Sequence, residues 1–493
     1  MMSRQDARAG QSDFGGTAHQ GKAMDEISRK VLQTIHGALD RLTCAENLTP
    51  DQLTEVFMAT TALGYQIARM DYPADRSASV AVAEADLVDS AVSPMSRPRH
   101  AAAGWDTMPG ARLCAAIEAG TIGEDPATLR RIRELLVAYH LPMDPVIDTG
   151  TRATYAGGRG DARTTQDDTV PVELTADLLQ DWLRRNGHVG PDAQVANLKR
   201  LMGGYSKATY IARIVDADRE QTAVIRKDSP GLPTGSSVVS EFPVLQEMTA
   251  IGVPVPAPLW IERDADLCGG AFMGVGFANG KPANQIVPTN PDVCREWAQS
   301  TAQVLARLHS GTALPQTDVR EPIAAEIDGL EQRMLERERA PHPGLLVGLR
   351  WLRRNIDRLA NRPACRIHGD VGFHNMLMDG GRITALLDWE FSRIGDPVED
   401  LASIKPFMDQ IGGWDTFYNS YQNADGFTVD RRAEDYFTVW QETRNMVACI
   451  GSLNSLLMPG VFEVPLTVAG TIYIPKYEVA IFDAISKAES RNE

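Results

Sequence analysis

The sequence predicts an α+β protein in which a small all-α domain precedes a small β-rich lobe and a large helical lobe. Apolar residues recur at three- and four-residue steps between residues 25 and 147, change to the pattern of strands between residues 210 and 275, and become helical again after residue 290. At 493 residues the chain is too long for one ordinary core. We therefore expect two or three domains.

Composition narrows the class of protein. The hydrophobic fraction of 43% is that of a soluble globular protein. The net charge of −16, without a block of Lys and Arg, argues against nucleic acid or a membrane surface as a partner. Six scattered cysteines, without metal-ligand spacing, indicate reduced thiols in a cytoplasmic protein. No apolar signal-peptide core is visible, and the apolar stretch Met446–Phe462, interrupted by Pro459, predicts a buried helix and not a membrane span.

The first third of the chain predicts a disordered start, a helical domain and a linker. Residues 1–20 are polar and Gly-rich, and we expect them to be disordered. Residues 21–147 form the predicted helical domain of unknown function, and residues 148–175, rich in Gly, Thr, Arg and Asp, form the predicted linker. The helices are predicted at Asp25–Leu42, Leu53–Met70, Arg112–Ala119 and from Pro126, with Asp125 as its cap.

Residues 176–278 predict the β-rich lobe and residues 279–493 the helical lobe. A helix opens the first lobe at Thr175–Asn186, and Asn290–Pro291 opens a long helix of the second. A small β-rich lobe followed by a larger helical lobe is the order of kinase-like folds. Between the two helices we predict strands Tyr210–Val215, Thr222–Arg226, Trp260–Ile261 and Ala271–Val275, and a helix Ser237–Thr249.

The segment Arg366–Ala402 holds the residues with a chemical role. Asp379-Gly380-Gly381 predicts a hairpin turn between two apolar runs. An antiparallel pair closed there brings Asn375 and Asp388 to one rim, where amide and carboxylate oxygens make a reasonable half of a Mg²⁺ site. Asp370 lies five residues upstream of Asn375, on the loop that enters the hairpin.

This segment resembles the aminoglycoside-phosphotransferase and choline-kinase superfamily. HGDVGFHN matches its HGDxxxxN catalytic loop, Asp388-Trp389-Glu390 its metal-binding strand, and GDPVEDLA its GDPxxDLA signature. The resemblance implies a bilobal protein-kinase-like fold and the use of ATP and Mg²⁺. It also implies a catalytic base at Asp370 and magnesium ligands at Asn375 and Asp388.

Neighbouring residues of the motifs have structural interpretations beside the functional ones. His368 belongs to the catalytic loop, where orienting the loop is favoured over proton transfer. Glu390 either approaches the metal or is a solvated or structural acid. Asp396 and Asp400 are predicted to cap or brace the following helix.

The upstream half predicts the nucleotide-binding groups. Gly203, Gly204 and Ser206, in GGYSKATY, resemble the family's Gly-rich turn, whose backbone N–H groups cover phosphates. Arg226 takes the place of the usual kinase lysine, and a guanidinium can bind phosphate in a bidentate way. Its acidic partner is predicted to be Glu241.

Three further expectations concern the same lobe. Pro243 conflicts with a helix interior, so Ser240 is predicted to cap the helix and place the proline in its first turn. Lys227 is predicted to be a solvated neighbour of Arg226. Gly276, Phe277 and Ala278 resemble the hinge between lobes, where backbone groups bind adenine and Phe277 packs beside it; a buried strand end is the alternative.

The sequence leaves the acceptor open. The resemblance implies a small-molecule hydroxyl acceptor, and VIRKDSPG with SEFPVL is similar to the branch associated with acyl-CoA dehydrogenases. No acidic run follows Phe407, which favours a hydroxyacyl or other hydroxylated metabolite over an aminoglycoside. A homodimer or an acyl-CoA enzyme is the protein partner to consider, and GTP stays open as a donor. The alternative function is a catalytically weak nucleotide-binding scaffold for acyl-CoA enzymes.

Overall fold

The computed structural model describes a defined part of the chain: residues 30–31, 84, 87, 110–122, 125–140, 174–201, 207–217, 219–228, 236–314, 317–456 and 468–490. The helices expected at Asp25–Leu42 and Leu53–Met70 therefore lie almost entirely outside the described residues, and so does nearly all of the expected linker. Gly203, Gly204 and Ser206 lie outside them as well.

The small lobe is a five-stranded antiparallel sheet, with one helix before its first strand and a second helix between its third and fourth strands. The strand order is β1-β2-β3-β5-β4. β1 was not predicted, because only its Val195 is buried and the strand has little apolar alternation. The elements are α3 (Ala176–Arg185), β1 (Gln194–Leu201), β2 (Lys207–Asp216), β3 (Arg219–Asp228), α4 (Val238–Ala250), β4 (Pro258–Glu262) and β5 (Phe272–Gly276).

The cap and the proline of α4 differ from the prediction. Ser237, not Ser240, is the N-cap, and its side chain accepts a hydrogen bond from the backbone N–H of Val239. Pro243 therefore lies inside the helix. Because proline has no N–H, the carbonyl of Val239 loses its i→i−4 partner, yet the helix continues since it packs on the core through Phe242 and Leu245.

The large lobe consists of helices around a β-hairpin. β8 and β9 form the hairpin, β6 pairs with β8, and β7 pairs with β10. The elements are β6 (Lys281–Pro282), α5 (Pro291–Gly311), α6 (Arg320–Arg337), α7 (Pro343–Arg354), β7 (Cys365–Ile367), β8 (Met376–Asp379), β9 (Arg382–Leu386), β10 (Arg393–Gly395), α8 (Pro397–Gln410), α9 (Trp414–Asn423), α10 (Arg431–Leu456) and α11 (Ile474–Ser490), with a π-helix at Ala469–Tyr473 before α11.

The hairpin turn has the backbone that its sequence demands. Gly380 and Gly381 both have positive φ, 50° and 82°, a region that glycine enters without steric cost. Register runs from Asp379 opposite Arg382 to Met376 opposite Leu386. The hairpin thereby extends to the rim where Asn375 and Leu387 meet, with the N–H of Leu387 donating to the carbonyl of Asn375 at 2.8 Å.

Two helices from the N-terminal third pack directly on the large lobe. α1 (Ala111–Ala119) contacts α7, and α2 (Pro126–His140) contacts α11. Asp125 caps α2, its Oδ1 accepting from the N–H groups of Ala127 and Thr128 at 3.0 Å. Leu113 and Ile132 are buried in the same core as Trp351 and Ile485. Where the chain is described, these helices thus complete the core of the large lobe.

Most of the apolar, cysteine and aromatic side chains of the large lobe are buried in its core. No helix among the described residues is long and apolar enough to cross a membrane. Five cysteines of this part of the chain are buried free thiols. The late aromatic residues are mainly core: Phe417, Tyr421, Tyr436, Phe437 and Trp440 are at most 1% exposed.

Candidate active site

The loop between β7 and β8 is fixed by a buried aspartate. Asp400, in the first turn of α8, accepts hydrogen bonds from the backbone N–H groups of His368 and Gly369, both at 2.8 Å. Its Oδ2 also contacts His309 Nε2 at 3.1 Å. Burial by itself raises the pKa of Asp400, but the bonds to His309 and the loop outweigh it and lower the pKa. Asp400 thus holds the loop from the helix that follows it.

His368 is fully buried and both of its ring nitrogens are engaged. Nε2 lies 2.8 Å from the carbonyl oxygen of Leu387, and Nδ1 accepts from the N–H of Asp370 at 3.2 Å. Its ring packs beside Trp389, with centroids 4.6 Å apart. Burial lowers the pKa of His368, which keeps the imidazole neutral. This geometry is that of a positioning residue.

Asp370 is held by three side chains. Asn375 Nδ2 donates to its Oδ2 at 3.0 Å, and His374 Nε2 lies 3.2 Å from the same oxygen. Arg444, from α10, donates to Oδ1 at 3.2 Å and also to the carbonyl of Gly369. Burial raises the pKa of Asp370, but the bond to His374 and the charges of His374 and Arg444 lower it well below its usual range. Asp370 is therefore ionised.

Asn375 and Asp388 meet at the rim of the hairpin. Asn375 is 6% exposed and ends a 3₁₀ turn before β8, while Asp388 follows β9. Asp388 has a φ of 64°, the left-handed region that Asp tolerates better than most residues. The backbone turn there points its carboxylate, 37% exposed, toward the cleft between the lobes.

Arg226 joins both lobes at the cleft. Its guanidinium pairs with Glu241 of α4 and, at 2.6 Å, with Asp388 Oδ1. Glu241 Oε1 also accepts from the N–H of Trp389 at 3.4 Å. Burial lowers the pKa of Arg226, but the carboxylates of Glu241 and Asp388 outweigh this effect, and the pKa lies above its usual value. The Arg226–Glu241 pair thus forms although Pro243 lies inside α4.

Lys207 adds a second cation that the sequence analysis missed. It starts β2, is 3% exposed, and pairs with Glu390 at 2.6 Å; Glu241 Oε2 lies 3.8 Å away. Glu390 is accordingly a buried ion-pair acid. Lys227 is not solvated as predicted: it is 6% exposed, and its Nζ lies 3.4 Å from the carbonyl of Gly269. Alternation along β3 put Lys227 on the far face, but that face is covered by the loop before β5.

The hinge has fewer available backbone groups than expected. The N–H of Gly276 donates to Ala257 O at 2.8 Å, and the N–H of Phe277 to Thr222 O at 3.3 Å. Phe277 is 51% exposed at the end of β5, beside Ala278. These two N–H groups are therefore engaged, and the Phe277 ring is open to a stacking contact.

Arg444 and His374 were also missed in the sequence. His374 occupies a variable position of the HGDxxxxN motif, so only its place beside Asn375 could have drawn attention to it. Arg444 is separated by 74 residues from Asp370 and belongs to no motif. A contact at that separation leaves no local pattern in the sequence.

The donors at the rim suit a magnesium ion bound with a nucleotide. Asn375 and Asp388 offer oxygen atoms, the ligands that Mg²⁺ prefers. Asn375 directs its amide nitrogen at Asp370, which turns its oxygen the other way. No group of three or more His, Cys, Asp or Glu side chains arranged for a metal occurs in the described ranges. Two protein ligands plus phosphates and water is the usual arrangement for this ion.

Comparison with known proteins finds a family model that matches about half of the chain. Residues 197–436 match the model of the family described as Phosphotransferase enzyme family. The choline kinase of Streptococcus pneumoniae is a structural neighbour at 15% identity and a TM-score of 0.44, covering 62% of this chain and 98% of its own.

Two curated relatives are similar to parts of the chain. Mouse acyl-CoA dehydrogenase family member 10 is 28% identical over 253 residues, 48% of this chain and 23% of the relative. Viomycin phosphotransferase of Streptomyces vinaceus is 28% identical over 165 residues, 27% of this chain and 52% of the relative. The chain thus spans about a quarter of the length of the first of these and about half of the second.

Proposed function

We propose that the protein is a Mg²⁺- and ATP-dependent phosphotransferase that phosphorylates a hydroxyl group of a small molecule. The observation that supports this most is the convergence of Asp370, Asn375 and Asp388 with Arg226 at one rim of the cleft. The match of residues 197–436 to the model of the Phosphotransferase enzyme family agrees with it. A polar turn that served the fold alone would have no reason to join a carboxylate, an amide and an interlobe arginine.

Each residue has a separate task in the proposed reaction. Asp370 accepts a hydrogen bond from the acceptor hydroxyl and thereby directs the hydroxyl oxygen at the γ-phosphorus of ATP. A bond forms between the hydroxyl oxygen and the γ-phosphorus while the bond from this phosphorus to the β,γ-bridging oxygen breaks, and ADP leaves. Asp370 takes the hydroxyl proton and passes it to water. Because its pKa is low, orientation of the hydroxyl is its main contribution, and the proton transfers late.

The remaining groups bind the nucleotide. Arg226, held by Glu241, contacts the phosphates. Asn375 and Asp388 would hold Mg²⁺, which neutralises charge on the phosphates when bound. Gly203, Gly204 and Ser206 would cover the phosphates, and Gly276, Phe277 and Ala278 would contact the base. The acceptor is a hydroxylated metabolite, with a hydroxyacyl compound favoured by the similarity to acyl-CoA dehydrogenase family proteins.

Thermal melting with ATP, with and without Mg²⁺, tests the nucleotide site without any acceptor. A ligand at a hundredfold excess over its Kd stabilises the folded state by about 2.7 kcal/mol, a shift of a few degrees for a chain of this size. We expect a Mg²⁺-dependent shift that is lost in Asp388→Ala and kept in Asp379→Ala, an exposed aspartate at the tip of the same hairpin. No shift with ATP or GTP would favour a scaffold instead.

A further inference from the structure

The two oxygens of Asp370 are occupied unequally. Oδ2 receives hydrogen bonds from Asn375 and His374, whereas Oδ1 receives one from Arg444. A carboxylate oxygen presents two lone pairs. Oδ2 is thus saturated, and Oδ1 keeps one lone pair. An acceptor hydroxyl can therefore bond only at Oδ1, on the side where Arg444 lies.

Arg444 is placed there by the large lobe and not by the loop it contacts. It projects from α10, its guanidinium packs over the ring of Phe391 at 5.0 Å, and its side chain is 10% exposed. A second nitrogen donates to the carbonyl of Gly369. Two fixed contacts on successive residues, Gly369 and Asp370, set the direction in which the carboxylate points.

The positive charge of Arg444 stays beside the approach to Oδ1. The buried acids next to it have partners of their own: Glu399 pairs with Arg393 at 2.7 Å, and Asp400 with His309 and the loop. Arg444 contacts Oδ1 of Asp370 and His374 contacts Oδ2, so the guanidinium charge lies on the Oδ1 side of the carboxylate. A cationic substituent next to the reacting hydroxyl would meet repulsion there.

Resting on the proposed phosphotransferase function, we propose that Arg444 is the positioning residue of the acceptor side. It orients Asp370 so that the acceptor hydroxyl binds at Oδ1. Its fixed charge also selects acceptors whose groups beside that hydroxyl are neutral or anionic. Amino alcohols and aminoglycosides, which place ammonium groups near their hydroxyls, are disfavoured by this arrangement.

Turnover of Mg-ATP with water as the acceptor tests the positioning. In Arg444→Lys we expect kcat to fall at least tenfold, because an ammonium lacks the rigid pair of nitrogens with which Arg444 contacts Gly369 and Asp370. The KM for ATP and the Mg²⁺-dependent thermal shift should stay within twofold and one degree of the wild type, since Arg444 lies away from the nucleotide groups. Arg393→Lys is the matched control: this arginine also pairs with a buried acid and packs over an aromatic ring, Trp440 at 5.5 Å.

The charge selection is tested with 3-hydroxypropionate and 3-amino-1-propanol, which are similar in size and opposite in charge. We expect wild-type ATP turnover to respond at least tenfold more strongly to the anionic probe, and Arg444→Gln to lose that ratio while Arg444→Lys keeps it. An equal response of the wild type to both probes, no response included, overturns the charge selection.

The outcomes separate the two proposals. A wild type without a Mg²⁺-dependent ATP shift contradicts the phosphotransferase function itself. A wild type that shows the shift and turns over ATP, together with an Arg444→Lys variant whose kcat is unchanged, contradicts only the role of Arg444. A fall in kcat of the same size in Arg393→Lys would also contradict it, because the loss would then be a general effect of altering a buried arginine.

Discussion

At the scale of single residues, Asp370 is the position where charge and geometry coincide. We expect Asp370→Asn to lower kcat by at least about a hundredfold, because the neutral amide holds the acceptor hydroxyl less firmly than the carboxylate and cannot take its proton. The ATP-induced thermal shift should persist, since Asp370 is not among the nucleotide contacts. Steady-state turnover and melting of the same preparations measure both.

Asp379→Asn is the control for that substitution. It makes the same chemical change on an exposed residue of the adjoining hairpin turn, and turnover should stay at the wild-type value. If Asp370→Asn retained more than a tenth of wild-type kcat, the catalytic role of Asp370 would be wrong whatever the control showed.

Glu442 on α10 makes stability depend on pH. Its pKa is raised from 4.5 to about 7, mainly by burial; Lys476 opposes the rise and Asp483 adds to it. The folded state thus binds the proton more tightly than the unfolded state. This stabilisation is complete below pH 4.5 and is lost as the pH rises through about 7.

Glu442→Gln should therefore remove that pH dependence. The amide cannot ionise, so at pH 8 the variant should be more stable than the wild type by on the order of 2 to 3 kcal/mol, and the difference should vanish near pH 4. Urea unfolding at both pH values measures it. Identical pH profiles for the two proteins would show that Glu442 titrates normally.

At the scale of elements, two glycines of β5 differ in the space that surrounds them. A Cβ at Gly274 would lie 2.3 Å from the Trp260 ring, whereas one at Gly276 would lie 3.6 Å from Ala257, an ordinary contact. Gly274→Ala should therefore cost about 1 to 3 kcal/mol of unfolding free energy. Gly276→Ala should change it by less than about 0.5 kcal/mol.

Chemical unfolding followed by tryptophan fluorescence compares these variants, since Trp260 and Trp182 lie in this part of the small lobe. Equal stabilities of the two variants would mean that the Trp260 ring moves aside at little cost. The contact of glycine and tryptophan would then have no part in the packing of the sheet.

Elements with local signals were predicted well, and contacts between distant segments were not. The hairpin was predicted from Asp379-Gly380-Gly381 and the start of α5 from Asn290–Pro291, because turns and helix caps depend on residues that are neighbours in the chain. The cap of α4 was misassigned because propensity placed Pro243 in a first turn, whereas packing of the whole helix decides where it starts. Strand β1 has too few buried residues to show a pattern.

The same limit applies to the candidate site. Asp370, Asn375 and Asp388 lie within one stretch of chain, so their spacing indicated a common rim. Lys207 and Arg444 reach the site across 183 and 74 residues. Only the packing of the two lobes and of α10 brings them there, and a single sequence holds no record of such packing.

At the scale of the whole molecule, α2 and the large lobe share one core. Ile132, 1% exposed, lies in that core. We expect Ile132→Ala to destabilise the protein by about 2 to 5 kcal/mol, and α2 to melt together with the large lobe in one calorimetric transition. Arg131→Ala, on the exposed side of the same helix, should have little effect.

Calorimetry would contradict this expectation by showing a separate early transition. If Ile132→Ala shifted only that transition, the N-terminal helices would unfold independently of the large lobe. Their burial against α11 would then contribute little to its stability.

Among the described residues, three ion pairs cross the cleft between the lobes, and they do not all have the same polarity. The small lobe offers the cations Lys207 and Arg226 to Glu390 and Asp388, and the anion Glu247 to Arg366, each pair at 2.6 Å. A small lobe that docked in a slipped or rotated position would set like charges against each other. The two polarities together thus favour a single orientation of the small lobe on the large lobe.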